Sequence, residues 1–150
     1  MRHPPLRFII LLITFLINAV SYAAKPVYVG GKERAAIRGY DPVAYFVEGK
    51  PVKGSKQFSL EYNGAKWLFS SEKNKNLFES APYDYAPQFG GYCAYAVAND
   101  TTASIKPQYF SIVDGKLYLN YSKSVYKRWK ANESDLIKSA EENWPGILRD

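Results

Sequence analysis

Few residues of this 150-residue chain are equipped for chemistry. Beyond His3 and Met1 it has no histidine and no methionine. Its one cysteine, Cys93, stands in the segment Gly90-Gly91-Tyr92-Cys93-Ala94-Tyr95-Ala96-Val97. Thiolate and imidazole are the groups that hold zinc and copper, and a structural zinc takes four of them, so one copy of the chain cannot build such a site. Two Cys93 side chains across a dimer could share copper(I), whereas Asp41, Asp84 and Asp100 are scattered rather than clustered. A cysteine among alanines and aromatics reads first as a small core hydrophobe. The competing reading is a functional thiol: a helix opening at Gly90-Gly91 would set Cys93 against its positive end and favour thiolate. No histidine is left to act as its base, which excludes a Cys-His dyad. No Gly-rich phosphate loop with lysine, no Ser-His-Asp set and no paired carboxylates can be made out. The sequence therefore assigns no catalytic residue, no metal ligand and no cofactor, a weakly held metal ion being the one allowance. What remains is a small-ligand pocket with aromatic walls and hydroxyl rims, built from Asp41, Tyr45, Trp67, Tyr92, Cys93 and Tyr95, with Tyr40 beside them. The same aromatics serve more simply as core, and Asp41 as a helix N-cap.

The elements that would position these residues can be read from turn and capping signals. Asp41 followed by Pro42 predicts a short helix through Phe46, ended by Gly49. Phe58, Leu60 and Tyr62 alternate with polar residues up to Asn63-Gly64, and Ala65 to Phe69 returns, which predicts a hairpin. Asp114-Gly115 joins Tyr109–Val113 to Lys116–Tyr121 in the same way. A helix capped by Ser70 or Ser71 runs to Ser80, with Pro82 as its stop. Ser122 or Ser124 caps another, and Asn132 restarts a last helix through Asn143, stopped by Pro145-Gly146. Ala86 to Ala98 is ambiguous between helix and buried extended chain. The order predicts a small single α+β domain, two β-hairpins packed with short helices, over residues 35–148. Residues 24–34 are expected to be a mobile lead-in.

The N-terminus points to export. Arg2 and Arg7 precede an apolar run, Phe8 to Ile13 and Phe15 to Ile17, and Ser21-Tyr22-Ala23 supplies small residues where a signal peptidase reads. That pattern predicts a signal peptide over 1–23, cleaved after Ala23, and a periplasmic mature protein. Phe8 to Val20 is 13 residues, short of the roughly 20 that span a bilayer, so no stable membrane insertion is expected after cleavage. Removal of Arg2 and Arg7 leaves 18 basic and 14 acidic side chains. The lysines are dispersed apart from Lys123, Lys127, Arg128 and Lys130, whose spacing fits a solvated helix face. Nucleic acid is not an expected partner. A single cysteine allows no internal disulfide, so stability rests on packing by the 16% aromatic residues.

Gly39-Tyr40-Asp41-Pro42-Val43-Ala44-Tyr45-Phe46, followed by Trp67-Leu68-Phe69-Ser70-Ser71, Phe78 and Pro82, resembles the YHS domain. Tyr85 to Val97 and Asp114 to Ser122 look like the exported, stand-alone bacterial branch of that family. The resemblance covers roughly residues 35–145 and implies a link to metal binding. It also implies where soft ligands stand in the metal-binding pattern, and here those positions are Ala44, Leu68, Ser70 and Asn74. None of these side chains holds zinc or copper with comparable strength. The expectation is a non-enzymatic binding or accessory module for an unknown small ligand or protein partner, monomeric or weakly dimeric. The alternatives are a thiol-dependent redox or catalytic protein centred on Cys93, and a structural domain that docks onto a partner.

Overall fold

The computed structural model describes residues 23–149; the expected signal peptide, all but Ala23, lies outside them. The fold is a single small α+β unit of three two-stranded antiparallel sheets and six helices, counted among the described residues. The strands are β1 (Val29–Gly30) with β2 (Ala35–Ala36), β3 (Ser55–Tyr62) with β4 (Ala65–Phe69), and β5 (Phe110–Val113) with β6 (Lys116–Leu119). Both expected hairpins form on the expected turns. Asn63 and Gly64 adopt φ 50° and 76°, Asp114 and Gly115 φ 50° and 73°, the doubly left-handed turn that matches strand twist. The first hairpin carries an irregularity between Ser55 and Ser59 that bends β3 away from strict pairing.

The helices are α1 (Ala44–Val47), α2 (Glu72–Ser80), α3 (Pro82–Tyr85), α4 (Ala94–Ala98), α5 (Lys123–Ala131) and α6 (Glu133–Arg149). Ser71 caps α2 by accepting from the Asn74 amide at 3.1 Å, and Ser122 caps α5 by accepting from Val125 at 3.3 Å. Two apolar clusters organise these parts. The larger gathers Ile37, Tyr45, Trp67, Phe69, Phe78, Cys93 and Leu119 between the first two hairpins and α2. The smaller joins Phe89, Val97, Tyr118, Trp129 and Ala140 where α4, α5 and α6 meet β6. Its centre, Trp129, is fully buried and donates from Nε1 to Ser111 Oγ at 3.0 Å.

The structure corrects three sequence expectations. The segment 24–34, expected to be mobile, is stitched into the domain: Val27 is 4% exposed, Tyr28 N–H donates to Gly90 O, and β1 lies within it. The last helix does not stop at Pro145-Gly146 but continues to Arg149. Trp144 and Ile147 on that final stretch pack against the smaller core, and their burial outweighs the hydrogen bond that proline removes. Gly90-Gly91 does not open a helix. Phe89, Gly90 and Gly91 form a left-handed turn at φ 54°, 61° and 82°, and α4 begins only after Cys93.

Candidate functional site

The polar centre of the fold is the Asp41 carboxylate, fully buried beneath the start of α1. Its Oδ1 accepts from the amides of Val43 at 2.8 Å and Ala44 at 3.2 Å, the expected capping role. Its Oδ2 turns the other way, to the end of β4 and the first turn of α2. There it accepts from Ser70 N at 2.8 Å, Ser70 Oγ at 2.7 Å and Asn74 Nδ2 at 2.8 Å. Five neutral donors thus surround one carboxylate, and no Lys or Arg pairs with it among the described residues. Buried charge without a counter-ion is tolerable only when its oxygens are saturated in this way. The second half of this arrangement was hidden in the sequence, because Ser70 and Asn74 lie 29 and 33 positions away.

Three of the four positions that the resemblance marks as ligands, Ala44, Ser70 and Asn74, meet at this carboxylate. The fourth, Leu68, is buried nearby and faces the Gly39 and Gly54 backbone. Together these residues do not fit a transition metal. Ala44 and Leu68 offer no donor atom, the Ser70 hydroxyl and the Asn74 amide point their hydrogens at Asp41, and both Asp41 oxygens are engaged. Among the described residues no three His, Cys, Asp or Glu side chains come close enough to hold a metal ion.

Of the six residues expected to line one pocket, Tyr45, Trp67 and Cys93 lie in the larger apolar cluster, Tyr92 borders the smaller one, Tyr95 touches both, and Asp41 is the buried polar centre. Tyr45 is 1% exposed, stacks edge-on against Phe110 and donates its hydroxyl to Pro107 O at 2.9 Å. Trp67 is equally buried against Phe78 and donates to Tyr62 O at 3.0 Å. Tyr92 is half-buried between Tyr28 and Trp144, and Tyr95 packs against both clusters. None of the six lines any of three clefts found among the described residues. The large apolar surface of these rings is better matched by one another than by a water-filled cavity.

Cys93 is 1% exposed. Its backbone is held by Ala103 O and by a bridge to Leu119, and its Sγ lies 3.7 Å from Asn120 Oδ1. Asn120 is itself fully buried; its Oδ1 also accepts from Tyr95 N at 3.3 Å, while its Nδ2 has no protein partner. The sequence allowed a helix terminus to lower the thiol pKa. The opposite holds: burial pushes the thiol up, against weaker opposing hydrogen bonds from the Ala96, Tyr121 and Tyr95 backbone. The helix that follows has five residues, too short for an appreciable dipole.

These buried acids give the fold an alkaline limit. Tyr118 is pushed up to about 12, first by burial and then by the charges of Glu141, Asp114 and Glu133. A neutral group whose folded pKa exceeds its unfolded value stabilises the fold below the unfolded pKa, and that contribution disappears as pH rises through the folded one. For Cys93 the loss starts near the free-thiol value of about 8.5, and for Tyr118 it runs from 10 to about 12. Urea midpoints are expected to fall across this range; Cys93→Ala removes the earlier part of the decline and Tyr118→Phe a share of the later part, to which Tyr45, Tyr62 and Tyr92, also pushed up by burial, contribute as well. A midpoint independent of pH up to 12 contradicts this.

A cleft of about 790 Å³ among the described residues is lined by Tyr40 and Leu68, near the Asp41 centre in the chain, but by none of its three residues. One wall is Gly31 to Glu33 with Arg38 to Tyr40, another is Lys53 to Lys56, and the third is the loop Lys106 to Gln108. The Asp41 amide bonded to Val52 O at 2.8 Å, Gly54 N bonded to Gly39 O at 2.9 Å, and Tyr45 bonded to Pro107 O hold the three walls together.

Comparison with known families places this geometry in context. Residues 43–89 match the family model of the YHS domain, described as such. No curated protein and no solved structure matches the chain. The matched span contains Ala44, Leu68, Ser70 and Asn74 but neither Asp41 nor Cys93.

Proposed function

We propose that this chain, a YHS domain-containing protein by its match over residues 43–89, acts as an exported, non-enzymatic binding or accessory module. In this reading the polar centre of the domain is a structural clamp that fixes the surface above it. The carrying observation is that the fully buried Asp41 carboxylate has all its bonding capacity taken by five internal donors, three of them from Ser70 and Asn74. A group so engaged neither binds a ligand nor moves a proton. Cys93, the other chemically able residue, is buried and shifted away from thiolate, which argues against the thiol-dependent alternative.

Export is supported by the charged, apolar and small-residue pattern of residues 1–23. It is also supported by where the fold takes hold of the chain. Ala23 is exposed, and the next residue already donates its N–H to Ile147 O, at the C-terminal end of α6, at 3.1 Å. Scission after Ala23 would turn that amide into an ammonium at the negative end of the helix, a favourable place for it. Among the described residues no helix is long and apolar enough to cross a membrane.

The test is thiol titration of the folded protein. Cys93 is expected to react with a small disulfide reagent only at the rate of unfolding, and stoichiometrically in denaturant. Rapid reaction of the native protein would overturn the non-enzymatic reading in favour of a functional thiol.

A further inference from the structure

We propose that the cleft lined by Arg38, Lys53 and Lys106 is a binding site for a small multivalent anion, carrying phosphate or carboxylate groups. The proposal rests on the reading of the chain as a binding module and names the class of its ligand.

Charge is the first argument. Five cations, Lys32, Arg38, Lys53, Lys56 and Lys106, line this one recess against a single carboxylate, Glu33. Glu33 is already committed: Lys56 Nζ lies 2.8 Å from it, and that hydrogen bond holds its carboxyl below the usual range, with Lys32 and Lys53 adding to the effect. Among the described residues no carboxylate lies within 4.0 Å of Lys32, Arg38, Lys53 or Lys106. Lys32, Arg38, Lys53, Lys56 and Lys106 come from separate segments of the chain, so their convergence here is a property of the fold. A concave surface of one sign concentrates counter-ions of the other.

Backbone strain is the second, independent argument. Ile37 and Arg38 have φ 43° and 63°, and a left-handed β-branched residue is a true outlier. The strain is enforced from below: Ile37 is fully buried and its N–H donates to Tyr28 O at 3.1 Å. With Ile37 fixed inward, its exposed neighbour Arg38 is presented to the cleft. Strain of this kind accumulates where a side chain must be held for function, and the guanidinium fork is the group best suited to phosphate or carboxylate.

Size and rigidity complete the case. The volume of about 790 Å³ falls in the small-molecule range, and a recess suits a small anion better than the flat surface of a bilayer. Walls fixed to one another through Asp41, Gly39 and Tyr45 lower the ordering cost of binding. Several uncompensated cations call for more than one negative charge on the ligand.

The experiment is calorimetric titration of the full-length protein with pyrophosphate and, separately, with citrate, at constant ionic strength. One saturable site is expected for at least one of them, weakening as salt is raised. The tighter of the two assigns phosphate or carboxylate recognition. Arg38→Asn, chosen because asparagine tolerates the left-handed conformation, and Lys106→Gln are each expected to weaken binding about tenfold. Lys127→Gln on α5, outside the cleft, should leave it unchanged. Retained helix and strand signals in circular dichroism establish that the variants fold. The proposal is overturned by absence of saturable binding of either anion, or by equal losses in Lys127→Gln and Arg38→Asn. It is likewise overturned if the protein sediments with anionic phospholipid vesicles and pyrophosphate does not compete. A silent titration with Cys93 still unreactive removes the anion site alone, whereas a reactive native Cys93 removes the underlying reading.

Discussion

Asp41→Asn is expected to lower the free energy of unfolding by about 2–6 kcal/mol, since at least two buried N–H donors lose their acceptor at about 1–3 kcal/mol each. The substitution keeps the shape of the side chain and changes one oxygen into an NH₂ donor. If that NH₂ takes the Oδ2 place, it meets three donors, from Ser70 N, Ser70 Oγ and Asn74 Nδ2. If it takes the Oδ1 place, it meets the amides of Val43 and Ala44. Neither rotamer escapes a donor facing a donor. Ser70→Ala removes one hydroxyl donor but leaves the carboxylate four partners, so it is expected to cost less, about 1–2 kcal/mol. Urea unfolding monitored by tryptophan fluorescence measures both. A loss below about 1 kcal/mol for Asp41→Asn would mean that the carboxylate is solvated and free to act, contrary to the clamp.

Gly90→Ala is expected to destabilise by about 2–5 kcal/mol, combining a left-handed conformation without glycine with overpacking. Gly90 sits at φ 61°, and a Cβ there would run into the Pro26 carbonyl and approach Val27 Cα at 3.2 Å. The obstacle is backbone, which cannot rotate aside as a side chain does. The same contact makes residues 26–28 part of the domain, since Tyr28 N–H donates to Gly90 O at 2.9 Å. A truncated chain beginning at Ala35 should therefore show a loss of similar size. Thermal melts of both proteins provide the check, and a Gly90→Ala protein as stable as the parent would contradict the packing described.

The parts of the fold that are local in sequence were legible in it. Asn63-Gly64 and Asp114-Gly115 specify their hairpins through residues that accept positive φ, and Ser71 and Ser122 cap helices with their own hydroxyls. The YHS likeness was legible too, because its signature is a run of residue types. Contacts between distant segments were not legible. Nothing near Asp41 announces that Ser70 and Asn74 will reach its second oxygen, so the residue reads as a cap and nothing more. Gly90-Gly91 suggests the mouth of a helix because glycine permits one, whereas the structure needs it for close passage past Pro26 and Ile37. The aromatic pocket failed for a related reason. For Tyr45, Trp67 and Tyr95, ring surface alone does not tell a cavity wall from a filled core. The basic cleft escaped notice because Lys32, Arg38, Lys53 and Lys106 belong to segments up to 74 positions apart in sequence and converge through the left-handed turn at Ile37 and the loop held by Tyr45.

The central claim is that the Asp41–Ser70–Asn74 centre is a filled structural clamp, where the family resemblance would lead one to look for a metal. The most direct measurement is a titration of the folded, isotope-labelled protein with zinc, and with copper(I) under reducing conditions, followed through the Ser70 amide and Asn74 side-chain amide resonances. The account predicts that both signals stay in place beyond one equivalent of either ion. Stoichiometric shifts or loss of those signals at one equivalent would show that the carboxylate gives up its internal donors for a metal, and would contradict it.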